Sequence, residues 1–146
     1  MTDLEILKKI LNQETEAEKR YIEQINKIRT PIIRKVLKDI RLEEYRHKRE
    51  LIVILKNMED HFDDKPYAEV EKIMPEEPGS EDFRLVQALL ELDKEKEAEA
   101  ATLYLESSEK AEDPKLRDLF LEFLNQEKAH EKKIKTLIDQ LNLFNR

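Results

Sequence analysis

Two four-residue stretches carry the chemistry of this chain: Glu44-Tyr45-Arg46-His47 and Glu127-Lys128-Ala129-His130. Each sets a carboxylate and an imidazole at i and i+3, positions that share one helix face about a turn apart. Both pairs fall inside apolar stripes. Ile33, Val36, Leu37 and Ile40 lead into the first, and Leu51, Ile54, Leu55 and Met58 follow it. Leu116, Leu119, Phe120 and Phe123 lead into the second, and Ile134, Leu137, Ile138 and Leu141 follow. An acid and an imidazole in mid-core need a partner, and a divalent cation is the simplest one.

A single Glu-x-x-His in so Glu-rich a chain would carry little weight, since exposed pairs on solvated faces arise readily. The repeat changes that. Positions 14 and 97, 21 and 104, 31 and 114, 44 and 127, and 47 and 130 hold the same residue types, each pair 83 apart. The match superimposes Glu14 on Glu97, Tyr21 on Tyr104, Pro31 on Pro114, and one Glu-x-x-His on the other. Neighbouring apolar positions follow: Leu37 with Phe120, Ile40 with Phe123, Leu51 with Ile134, Ile54 with Leu137. Glu14, Glu44, Glu97 and Glu127 then all sit at inward positions, with His47 and His130. Four buried carboxylates without cations would cost tens of kcal/mol or force protonation. Two divalent ions balance them, with one imidazole each, and oxygen with imidazole suits iron, manganese or zinc. Tyr21 and Tyr104 each stand seven residues past a candidate ligand, where they serve as donors to ligand carboxylates or as core aromatics. Glu18, Glu95 and Glu99 would be ligands only in another register, and are expected to be solvated. His61 lacks a twin and reads as a surface residue.

The elements that must position these groups are long helices. With 146 residues the chain is expected to be one domain, 1–146. Charged residues make up 42%, mostly Glu and Lys, and there is one Gly; that composition suits helices with solvated, ion-paired outer faces. Thr2-Asp3-Leu4-Glu5 reads as a capping box opening a helix over about 3–28. Its stripe is Leu7, Ile10, Leu11, Ala17, Tyr21, Ile25 and Ile28. Thr30-Pro31 opens a second helix over about 31–62 almost at once, which makes the first two an antiparallel hairpin. Pro66, Pro75, Pro78 and Gly79 punctuate a crossover over 62–79, in which Tyr67 to Met74 allow a short helical piece. Eighteen residues reach roughly 60 Å, enough to cross a bundle whose helices run about 40 Å. Ser80 caps a third helix over about 80–111, with Phe83, Val86, Leu90, Ala100 and Tyr104 inward, and Asp113-Pro114 opens a fourth over about 114–141. Two like hairpins packed together make an all-α, pseudo-twofold four-helix bundle.

Net charge of −7 argues against nucleic acid as a partner. Without Cys there is neither a disulfide nor a thiolate site. No apolar run approaches a membrane span and no secretory leader is evident, so the cytoplasm is the expected location. Tyr67 and Ile73 on the crossover fit a homodimer contact or core packing equally well.

A Glu from each of two helices and a Glu-x-x-His from each of the other two resembles the di-iron pattern of the ferritin-like superfamily. Within it the chain is most similar to the rubrerythrin di-iron domain, through the Glu-x6-Tyr spacing of Glu14 and Tyr21 and the long crossover. The resemblance implies two iron ions held by Glu14, Glu44, His47, Glu97, Glu127 and His130, with Glu44 and Glu127 bridging. Tyr21 and Tyr104 would hydrogen-bond to carboxylates across the bundle. It further implies reduction of peroxide, or reaction with dioxygen. The electrons would come from a separate donor protein such as a rubredoxin, since this chain lacks the Cys-ligated iron domain. The sequence departs from that family in a second respect: Ala100, and its twin Ala17, stand where an extra Glu is expected one turn after the ligand. Iron oxidation or storage, and a non-catalytic bundle stapled by metal, are the competing functions.

Overall fold

The computed structural model describes residues 1–68, 72–73 and 82–144. Four α-helices dominate them: α1 Asp3–Lys27, α2 Pro31–Met58, α3 Phe83–Lys110 and α4 Pro114–Phe144. Thr2 caps α1 by accepting from the Glu5 backbone N–H at 3.2 Å, as the capping-box pattern predicts. Pro31 and Pro114 start α2 and α4, where a missing N–H costs nothing.

Three boundaries differ from expectation. α2 stops at Met58 rather than near 62. Glu59 and Asp60 follow, and acidic groups oppose the negative end of the helix dipole. α3 starts at Phe83, with Asp82 accepting from the Arg84 N–H at 3.0 Å; Ser80, the expected cap, lies outside the described residues. Phe83 itself is 43% exposed rather than inward, and so is Met58 at 47%. α4 continues one turn past the expected 141, since Leu141 is still buried core. Of the crossover, a 3-10 turn covers Lys65–Tyr67, shorter than the expected helical piece, of which 69–71 and 74 lie outside the described residues.

α1 packs on α2 and on α3, and α2 and α3 each also pack on α4, so the helices form a square with α1 opposite α4. Cross-contacts fix direction. Arg20 meets Asp93 and Asp3 receives the N–H groups of Glu112 and Asp113, so α1 and α3 are antiparallel. The crossover therefore spans the bundle: Tyr67 O accepts from Lys48 at 2.8 Å, and Lys72 O accepts from Asn26 at 2.9 Å near the far end of α1.

The apolar core is two clusters. One gathers Leu7, Ile10, Leu11, Leu51, Leu55, Tyr104, Phe120 and Phe123. The other gathers Tyr21, Ile25, Leu37, Ile40, Leu90, Ile134, Leu137 and Ile138. Residues 83 apart fall in opposite clusters: Leu37 and Phe120, Ile40 and Phe123, Leu51 and Ile134. A twofold axis running between the clusters requires this. Tyr67 and Ile73, each partly buried, pack against the clusters. No helix among the described residues is long and apolar enough to cross a membrane.

Candidate metal centre

Between the two apolar clusters lies a polar layer. Glu14 of α1, Glu44 and His47 of α2, Glu97 of α3, and Glu127 and His130 of α4 are all at most 3% exposed. All six residues picked from the repeat converge there. Their candidate donor atoms form two groups, each with its atoms within 4.8 Å of one another: Glu14, Glu44, His47 and Glu127, and Glu44, Glu97, Glu127 and His130. Glu44 and Glu127 belong to both.

Each imidazole turns Nδ1 inward. His47 Nδ1 lies 3.6 Å from carboxylate oxygens of Glu14 and Glu127. His130 Nδ1 lies 3.1 Å from Glu44, 3.6 Å from Glu97 and 3.8 Å from Glu127. One buried atom of each of the six residues has no hydrogen-bond partner: Glu14 Oε2, Glu44 Oε1, His47 Nδ1, Glu97 Oε2, Glu127 Oε1 and His130 Nδ1. Unsatisfied buried polar atoms are rare and costly. Six facing one another, four of them acceptor-only oxygens when ionised, fit a pair of cations better than any internal pairing.

The tyrosines sit as expected. Tyr21 Oη donates to Glu97 Oε1, and Tyr104 Oη donates to Glu14 Oε1. Each thus crosses from one hairpin to a ligand carboxylate of the other. Outside the ring of ligands, His130 Nε2 meets Glu43 Oε2 at 2.6 Å and His47 Nε2 meets Gln126 Oε1. Phe123 stacks on His47, with centroids 4.1 Å apart.

Burial, and next the charge of Glu44, raise Glu14 well above the carboxylate range. Burial and the charges of Glu44 and Glu97 do the same to Glu127. Burial also disfavours ionised Glu44, but its polar contacts with Glu14 and His130 outweigh it and hold Glu44 at about 2. Burial lowers His130; the facing carboxylates of Glu127, Glu44 and Glu97 reverse that and drive it far above the usual histidine range. A cation entering such a layer would have to displace protons held there.

Two buried ion pairs flank the layer, and sequence reasoning placed neither. Glu18, expected to be solvated, is 2% exposed and accepts from Lys48 at 2.5 Å; Lys48 is equally buried. Asp93 is fully buried and accepts from Arg20 at 3.0 Å and Gln24 at 2.8 Å. The signal was present. Glu18 and Lys48 each stand four residues after a ligand, and Asp93 four before Glu97, so all three share the inward face. Glu95 and Glu99 are exposed, as is His61.

Two openings reach the layer. Between α1 and α3 a cavity of about 510 Å³ has Glu14, Glu44, Glu97 and Glu127 in its lining, with Ala17 and Ala100 beside them. Between α2 and α4 a second, of about 450 Å³, reaches His47, Phe123 and Gln126.

The family model described as Rubrerythrin matches residues 5–138. No curated protein matches the chain. Among solved structures, a hypothetical protein from Pyrococcus furiosus superimposes with a TM-score of 0.80 at 18% identity, over 99% of this chain and 92% of that one. That likeness concerns the ferritin-like four-helix fold alone.

Proposed function

The chain belongs to the rubrerythrin family, and on that premise we propose that it is a di-iron redox protein that reduces peroxide, or reacts with dioxygen, using electrons from a separate donor. The single observation that carries this is the set of six unsatisfied donor atoms, one per predicted ligand, facing one another in a buried layer. Glu14 and His47 would hold one ion, Glu97 and His130 the other, and Glu44 and Glu127 would bridge. When bound, a ferrous pair supplies the two electrons that, with two protons, convert hydrogen peroxide to two waters.

The chain's own residues do the rest. Tyr21 and Tyr104 fix the orientation of Glu97 and Glu14 by donating to one oxygen and leaving the other for metal. The α1–α3 cavity, which has no imidazole in its lining, gives a small oxidant access to the carboxylate side of the centre. Ala17 and Ala100 widen that approach where a longer side chain would fill it. The apolar clusters above and below keep bulk water away from the layer. These 146 residues contain no cysteine that could ligate an electron-transfer iron, and the donor we propose is a separate rubredoxin-like protein.

The test is anaerobic loading with ferrous iron, elemental analysis, and stopped-flow mixing with peroxide and separately with oxygen. Two irons per chain, oxidised with a ferric absorption change and turned over by an added donor, support the proposal. An iron-loaded centre inert to both oxidants overturns it.

A further inference from the structure

The centre looks symmetric in its ligands but is not symmetric one contact further out. Glu43 and Gln126 are 83 apart and precede the twin residues Glu44 and Glu127, so the two stretches read Glu-Glu-x-x-His and Gln-Glu-x-x-His. Each contacts the outward ring nitrogen of the histidine on the opposite hairpin: Glu43 with His130, Gln126 with His47. We propose that this exchange makes the two metal positions inequivalent, and that the first ion enters the position formed by Glu44, Glu97, Glu127 and His130. The inference rests on the metal-binding reading given above.

When Nδ1 of an imidazole binds a cation, Nε2 carries the proton and donates it outward. A carboxylate acceptor makes that bond charge-assisted, roughly twice as strong as one to a neutral amide. It also pushes electron density onto the ligating nitrogen and holds the ring in place. Glu43 supplies this to His130; the amide oxygen of Gln126 supplies only a dipole to His47. Glu43 is 34% exposed while His130 is fully buried, so the carboxylate keeps its contact with water and still reaches the ring at 2.6 Å. Phe123 packs flat on one face of His47 but adds no charge. Outer partners of this kind change metal affinity by about 10–100-fold.

Equivalent positions that share bridging carboxylates would also fill stepwise, so the number of steps does not decide. The place of the first ion does. The full-length protein, freed of metal, receives one equivalent of Co(II) without oxygen, and anomalous scattering from crystals locates it. Co(II) beside His130 is expected. In the exchanged double variant Glu43→Gln/Gln126→Glu the preference moves to His47. By calorimetry, Glu43→Gln alone lowers the first binding constant by about 10–100-fold, and Gln126→Glu raises the second. Circular dichroism of each metal-free variant checks that the helices are retained. Equal occupancy in the wild type, or an unchanged preference in the double variant, overturns the inference while leaving the metal centre standing. Failure to bind Co(II) at all removes the metal reading and this inference together.

Discussion

The α1–α2 hairpin and the α3–α4 hairpin agree in the residues that face the centre and disagree in those that support them. Glu14, Tyr21, Glu44 and His47 recur as Glu97, Tyr104, Glu127 and His130. One turn away, Glu18 corresponds to Ala101, Lys48 to Glu131, and Asp93 to Ile10. Matching donors are what the proposed two-ion centre would require, since its two positions would share Glu44 and Glu127. The surroundings need only satisfy buried charge locally. One hairpin does so with a Glu18–Lys48 pair that also grips Tyr67 O, and the interface between hairpins does so with Arg20, Gln24 and Asp93.

The largest effect should come from breaking what the hairpins share. Glu127→Ala removes a ligand common to both positions and should take the bound metal from two ions per chain to none, by elemental analysis after desalting. Glu97→Ala touches one position and should leave one ion. Equal retention by the two variants would dissolve the distinction between bridging and terminal carboxylates.

Next comes the support that only one hairpin has. Lys48→Ala strands Glu18 in the core with Arg41 3.6 Å away, and should cost about 3 kcal/mol in urea denaturation. Lys48→Met with Glu18→Gln removes both charges and should recover most of that loss. A Lys48→Ala variant as stable as wild type would show that the pair is not buried in solution.

Asp93 gives a pH signature on the other side. Burial, against the pull of Arg20 and Gln24, pushes it from 3.8 up to about 7. A raised folded value means that the native state holds the proton more tightly than the unfolded chain. Its contribution is therefore present at pH below about 4 and is lost as pH rises toward about 7. In chelator, the urea midpoint of wild type should fall over that window relative to that of Asp93→Asn. Parallel pH profiles for the two proteins would contradict this.

The smallest effect sharpens the comparison. Phe123→Ile makes that position match its twin Ile40 and removes the stacking on His47, for about 1 kcal/mol of stability beyond the loss of volume. Thermal melting of metal-free protein measures it.

The six candidate ligands were legible because an offset of 83 and the helical period act together: each of them had a twin in the other stripe. Spacing alone left Tyr21 and Tyr104 with two readings, and their reach across the bundle came from the family resemblance. Helix ends were less legible, since α2 ends by an electrostatic preference at Glu59 and Asp60 and not by a proline or glycine. Glu18 and Asp93 escaped because they have no twins, and a lone charged residue on a stripe resembles a solvated edge until its cation is located. Glu43 and Gln126 were invisible for a related reason: their partners lie on the facing hairpin, and nothing in a linear chain marks which residue touches the back of a distant ring.

The division of the core into two oily blocks has a mechanical consequence. The slab between them contributes little cohesion while it holds only protons, so each block must keep its own end of the bundle closed. Amide exchange in the metal-free chain should therefore be faster near the waist, around residues 44 and 127, than inside either block, the fraying helix ends aside. Taking up ions would turn that waist into the tightest girdle of the molecule.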